Sequence, residues 1–189
     1  MKTIRTLLVA TSVVVGGNAS AKVLTANPDK TEITWLGKKV GGQHSGTITL
    51  KSGELKVEGN AIVSGEFVMD MNSIKDTDLT DADSKQKLEG HLKSDDFFAA
   101  EKYPEAKLVV SEKASFQDDV AHVKGDLTIK GITNPVEFDV TRNGKTYTTQ
   151  ITVNRAKYNV RYGSDSFFDN LGDKVIYDNF EMGVTVTME

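Results

Sequence analysis

From Thr31 onward apolar and polar residues alternate, and that period of two limits the chain to strands with one buried face. Ile33 and Trp35 share one face, as do Ile48 and Leu50, Leu55 and Val57, and Phe67, Met69 and Met71. The pattern returns at Leu108–Ser111, Ala121–Ile129, Val136–Thr141, Tyr147–Asn154 and Val184–Met188. Turn signals separate these runs: Ser52-Gly53, Gly131, Asn134-Pro135 and the two-residue hairpin signal Asn143-Gly144. Gly65, inside a strand pattern, points to a bulge or a sharp bend. The expected class is all-β, antiparallel and a single domain. Open sheet edges invite aggregation, so the sheet should close into a barrel. About eight strands enclose an interior wide enough for side chains or one small ligand.

One passage breaks the period. Leu88 and Leu92 make an apolar stripe with His91 between them, then Phe97-Phe98 follows and Pro104 ends the run. The spacing predicts a helix from about Ser84 to Leu92. A second short helix, capped by Ser94 or Asp95 and carrying the phenylalanine pair, is expected before Pro104. The helical insertion thus spans residues 84–103, with a polar acidic loop, Ser73–Asp83, leading into it. Ser164–Asp173, with Phe167-Phe168, should be an irregular crossing.

The first residues read differently. Lys2 and Arg5 precede the short apolar run Thr6–Val15, and Ala19-Ser20-Ala21 has the small-x-small form of a cleavage site. A secretory signal peptide over residues 1–21 is expected, cut before Lys22, with residues 22–189 as the exported domain. Without Lys2 and Arg5 the net charge moves from −4 to −6. An acidic chain is a poor partner for nucleic acid or anionic headgroups. There is no cysteine, which removes disulfides and thiolate chemistry. No long apolar segment follows the first, so stable membrane insertion is not expected.

Few residues suggest catalysis. No nucleophile elbow, phosphate loop or dinucleotide fingerprint occurs. His44, His91 and His122 have no metal-ligand spacing among them, and His91 reads as a buried histidine bonded to backbone. His44 and His91 with a carboxylate would be the pairing to consider for a metal; no catalytic or metal residue is assigned. Asp76–Asp83 lacks the mid-loop glycine and final glutamate of a calcium loop, and reads as a solvated segment partly capping the helix.

Four motifs resemble the YceI-like family. Gly90-His91-Leu92-Lys93-Ser94, then Asp96-Phe97-Phe98 and Tyr103-Pro104, is similar to its His-Leu-x-Ser-x-x-Phe-Phe-Asp…Pro signature, with Ala99 in place of the aspartate. Gly125–Val136 (GDLTIKGITNPV) is similar to G-x-L-T-I-x-G-V-T-x-P-V. Asn154–Tyr158 and Leu171–Val175 resemble the motifs that follow, in the same order along nearly all of residues 22–189.

The resemblance implies an extended lipocalin-like barrel, exported to the periplasm, holding a polyprenyl lipid or isoprenoid quinone in its lumen. Candidates for that lumen are Trp35, Phe67, Met69, Leu88, Leu92 and Phe97, with Phe98, Phe138 and Phe167. His91, Arg155 and Tyr158 would fix a head group, although Arg155 also reads as a structural residue paired with a carboxylate. No cofactor beyond the bound lipid is expected. Pairing of two chains through an edge strand stays open. So do two other roles: an enzyme or metal-binding protein using His44 and His91, and an interaction module whose barrel is filled by its own side chains.

Overall fold

A computed structural model describes residues 20–189, so all of the expected signal segment except Ser20 and Ala21 lies outside the described residues. Ten strands form one antiparallel sheet: β1 (Lys22–Thr25), β2 (Glu32–Lys39), β3 (Gly42–Glu58), β4 (Ala61–Asp76), β5 (Glu105–Val110), β6 (Ala114–Ser115), β7 (Val120–Ile129), β8 (Ile132–Asn143), β9 (Thr146–Asn154) and β10 (Ile176–Thr187). Eight of them run β3-β2-β10-β9-β8-β7-β5-β4, and pairing of β4 with β3 closes the ring. The described residues form a closed eight-stranded barrel with one α-helix, α1 (Ala82–Lys93). β1 and β6 lie outside the ring, against the far ends of β3 and β4. None of the helices among the described residues is long and apolar enough to cross a membrane.

β3 and β4 are long because each serves two neighbours. The first part of β3 pairs with β2 and its last part with β1. The Ser52-Gly53 turn expected from sequence does not form; β3 continues through it, with a register slip against β4 between Leu50 and Ser52. The glycine is there for close approach, since a Cβ on Gly53 would lie 2.6 Å from the Phe67 ring and 2.9 Å from Ala26. The register between β3 and β4 slips between Thr47 and Thr49, where β4 steps from Lys75 to Asp70. Asn72 and Ser73 therefore belong to a bulge within the strand, not to the loop expected from Ser73 on. The Ser73 hydroxyl donates to Asp70 O and accepts the Thr49 N–H, and Ile74 beyond it is again buried. Bulges of this kind bend barrel walls.

The helix begins two residues before its expected start because Asp81, within the acidic segment, accepts the Ser84 N–H at 2.8 Å and caps it. The second helix does not form. Ser94 ends α1 instead of starting a new helix, and Ala99 sits at φ +49°, a left-handed step that breaks any helical run. Residues 94–103 are instead tight turns, with the Phe97 and Ala99 N–H groups both on Ser94 O. The hairpin at Asn143-Gly144 is present one residue further on, with Asn143 opposite Thr146 and Gly144 at φ +59°. Asn134-Pro135 lies inside β8 instead of in a turn. β9 pairs with β8 only from Val140 on, so Pro135 needs no N–H on that side.

Antiparallel alternation sends the ends of β2, β4, β7 and β9 and the starts of β3, β5, β8 and β10 to one end of the barrel. α1, the 94–104 turns and the 155–175 crossing cover that end. At the opposite end Phe116 and Tyr147 meet, ring centroids 6.2 Å apart, with the Arg142 guanidinium 4.1 Å above Phe116.

Candidate functional site: an apolar lumen under a tied-down lid

The inward phase of each strand is apolar, and the side chains do not fill the barrel. A cavity of about 220 Å³ runs through it. Trp35 from β2, Leu50 from β3, Phe67, Met69 and Met71 from β4, Phe138 from β8 and Met182 from β10 line its walls. Leu92, Phe97 and Phe98 line it at the lid. Phe97 and Phe98 meet edge to face at 5.1 Å, and Phe98 meets Phe180 at 6.3 Å. Trp35 fits because β3 offers Gly46 opposite it: a Cβ there would fall 2.5 Å from the indole and 1.8 Å from Lys75 O. The indole Nε1–H is buried without a hydrogen-bond partner.

Arg155 also lines the lumen but offers it hydrocarbon and not charge. It is only 2 % exposed. Nε donates to Tyr177 O, Nη1 to Val160 O and Tyr162 O at 2.9 Å each, and Nη2 to Ile176 O at 2.7 Å. Asp178 Oδ1 stands 3.5 Å from Nη2, near enough to pair by charge but not aligned as a hydrogen bond. Burial pushes the guanidinium below its ordinary value, opposed by the Asp178 and Asp165 carboxylates. Its donors are turned onto the crossing segment, so Arg155 clasps the lid, the structural role weighed for it from the sequence. Burial likewise pushes the Tyr158 hydroxyl up.

Of the twelve candidates, Trp35, Phe67, Met69, Leu92, Phe97, Phe98, Phe138 and Arg155 line the cavity, and four do not. Leu88 is half-buried and packs on the core from α1 without reaching the cavity. Tyr158 is sealed within the 3₁₀ turn Arg155–Tyr158, 1 % exposed, away from the lumen. Phe167 lies in the crossing under the Arg161 guanidinium, 4.6 Å from its ring centroid. His91 is not the backbone-bonded buried histidine expected. Its ring is half-buried and stands edge-on to Tyr162 at 4.3 Å and Phe97 at 5.7 Å. Nor does His91 join His44; the acidic partners of His44 are Asp78 and Asp76.

The lining residues missed from the sequence were in plain phase with those found. Met71 follows Phe67 and Met69, and Phe180 and Met182 precede Val184 at the same period. Aromatic identity drew the choice; strand phase was the better signal.

The four motifs noted in the sequence gather at the lid. Lys130, in the left-handed turn with Gly131, donates to Asp95 O, Phe97 O and Asn159 O. A Cβ on Gly131 would strike the Tyr103 ring at 2.8 Å. The Arg155 guanidinium lies 5.5 Å from the Phe97 centroid, and Val175 O accepts the Val40 N–H.

Relatives share this architecture. Burkholderia cenocepacia BcnA superposes with a TM-score of 0.68 at 23 % identity, over 85 % of this chain and 98 % of that one. A polyisoprenoid binding domain from Saccharophagus degradans gives 0.62 at 14 % identity, over 88 % of this chain and 97 % of that one. A UPF0312 protein of Pseudomonas putida is 47 % identical over 55 residues, a match spanning 29 % of each chain. The YceI-like domain model matches residues 24–188, and the chain therefore belongs to the YceI-like family.

Proposed function

We propose that this protein is an exported, periplasmic carrier that holds the hydrocarbon chain of an isoprenoid-type lipid in its barrel. The observation that carries the reading is the cavity of about 220 Å³, walled by apolar side chains along the barrel. It speaks against a barrel filled by its own side chains. The one guanidinium in its wall is committed to backbone carbonyls, which leaves an apolar chain as the natural occupant. A neighbour of the same fold is named a polyisoprenoid binding domain, which supports the same class of ligand here. Each buried CH₂ would contribute about 0.8 kcal/mol, so ten would supply on the order of 8 kcal/mol before the chain's ordering is subtracted. The Trp35 ring lines the lumen with its N–H closed off inside the wall, so it offers an occupant apolar surface only.

Trp35 is the single tryptophan of the chain and faces the lumen, so its fluorescence reports occupancy directly. Titration with an isoprenoid quinone should quench it to saturation at one ligand per chain. Ala106→Phe, which fills the lumen, should abolish the quenching with the barrel's circular dichroism intact. Quenching that never saturates, or that survives the filled lumen, would contradict the reading.

A further inference from the structure

Where the seam between β3 and β4 reaches the lid, three ionisable side chains meet. His44 stands opposite Gly37 of β2, a lumen-lining position. Asp76 is the last residue of β4, opposite Gly46, and Asp78 follows two residues on. One ligand atom from each of the three lies within 4.8 Å of the others. His44 Nδ1 is 3.1 Å from Asp78 Oδ2, while Asp78 Oδ1 accepts the Ser45 N–H at 2.7 Å.

Asp76 shows what the cluster lacks. Its residue is fully buried, at 0 % exposure. Oδ1 accepts the Leu79 N–H at 2.8 Å, but Oδ2 is closed off from solvent with no hydrogen-bond partner. The Asp76 N–H is meanwhile spent on Glu89 Oε1 of α1. A carboxylate oxygen removed from water and left unpaired is unfavourable, and a cation is the neighbour that completes it.

We propose that His44, Asp76 and Asp78 bind a divalent transition-metal cation of the Zn²⁺ type, through His44 Nδ1 and one oxygen of each aspartate. Ligands about 2.1 Å from such an ion stand roughly 3.0–3.4 Å from one another, and the His44–Asp78 spacing already fits. One imidazole with two carboxylates suits Zn²⁺ or Mn²⁺ better than the all-oxygen shells of Ca²⁺ and Mg²⁺. Ser45 N–H on Asp78 and Leu79 N–H on Asp76 hold the free oxygens in place, as outer-shell donors do. The His44 and Asp78 side chains are 29 % and 35 % exposed, which leaves an entry path and room for water on the ion. The ion would tie the start of β3 to the segment joining β4 to α1, independently of what the lumen holds.

The test is isothermal titration of the chelator-stripped full chain with Zn²⁺, and separately with Mn²⁺. One saturable site per chain is expected, weakened at least about tenfold by His44→Ala, whose half-exposed side chain can be removed without emptying the core. Asp78→Asn should weaken it similarly. His122, exposed on the barrel wall at 2.9 Å from Asp139 and 3.4 Å from Glu137, is the control for adventitious binding at a surface imidazole, and His122→Ala should leave binding unchanged. Added Zn²⁺ should also raise the Tm of the parent more than that of His44→Ala. No saturable binding in the parent, binding as tight in His44→Ala as in the parent, or binding lost in His122→Ala would each overturn the site. Quinone quenching of Trp35 is read separately and does not bear on it.

Discussion

Trp35 and Gly46 show how one residue's absence of side chain places another's ring. The indole occupies space that any Cβ at position 46 would enter, and the carbonyl of Lys75 closes the other side. The backbone cannot yield as a flexible side chain could. Gly46→Ala should therefore cost about 3 kcal/mol, a fall in Tm of roughly 6–12 °C by thermal denaturation. An unchanged Tm would mean that the seam is looser than drawn. Arg155 gives the complementary case, a side chain whose every hydrogen bond goes to backbone. Arg155→Lys keeps the charge but has one nitrogen where four carbonyls wait, and should destabilise by about 3–5 kcal/mol. Limited proteolysis should then cut first within residues 160–178, the segment the guanidinium holds; a lysine variant as resistant as the parent would contradict the clasp. Arg155 was visible in the sequence as buried-or-binding, because a lone arginine carries no mark of whether its partner is a ligand or a carbonyl. Asp76 was less visible still: it sits among acidic residues that look solvated, and only the strand continuing to its position buries it.

At the scale of elements, α1 depends on its cap. The Ser84 hydroxyl and N–H both bond the Asp81 carboxyl and hold it below its ordinary value of 3.8. A carboxyl with a lowered folded-state value contributes stability above its ordinary value and loses it as pH falls through the lowered one. Asp81→Asn caps the same N–H without titrating. The parent should thus be the more stable of the two at about pH 5, and its advantage should shrink as pH falls below the ordinary value of 3.8 when both are melted side by side. A gap that does not change with pH would rule out the carboxylate as the source. Strand identity was legible from period two, and α1 from the spacing of Leu88 and Leu92. The second helix was not, because the left-handed step at Ala99 leaves no trace in composition; an alanine there looks helical. Ser52-Gly53 misled for the opposite reason. Serine and glycine together look like a turn, yet Gly53 serves the close packing of Phe67 and Ala26.

At the scale of the molecule, the strand count and the need to cover edges pointed to a closed barrel, and the ring closes through β3 and β4. Closure leaves short outer edges on β1, four residues long, and β6, two residues long, and the β9-facing edge of β8 before Val140 is also unpaired. The lumen was legible as a class of site but not residue by residue, since helix and aromatic content say less about facing than strand phase does. The motifs of the family are far apart in the chain and meet at the lid, where Lys130, Gly131 and Arg155 tie it shut. Those ties account for a lid; they do not by themselves hold a ligand. The proposed carrier role requires a lipid in the lumen. Purification of the protein from its own cells without detergent, followed by organic extraction and mass spectrometry, measures that occupancy directly. One isoprenoid-type lipid per chain is expected, displaced in Ala106→Phe. No stoichiometric lipid, together with no uptake of added polyprenyl compounds, would contradict it.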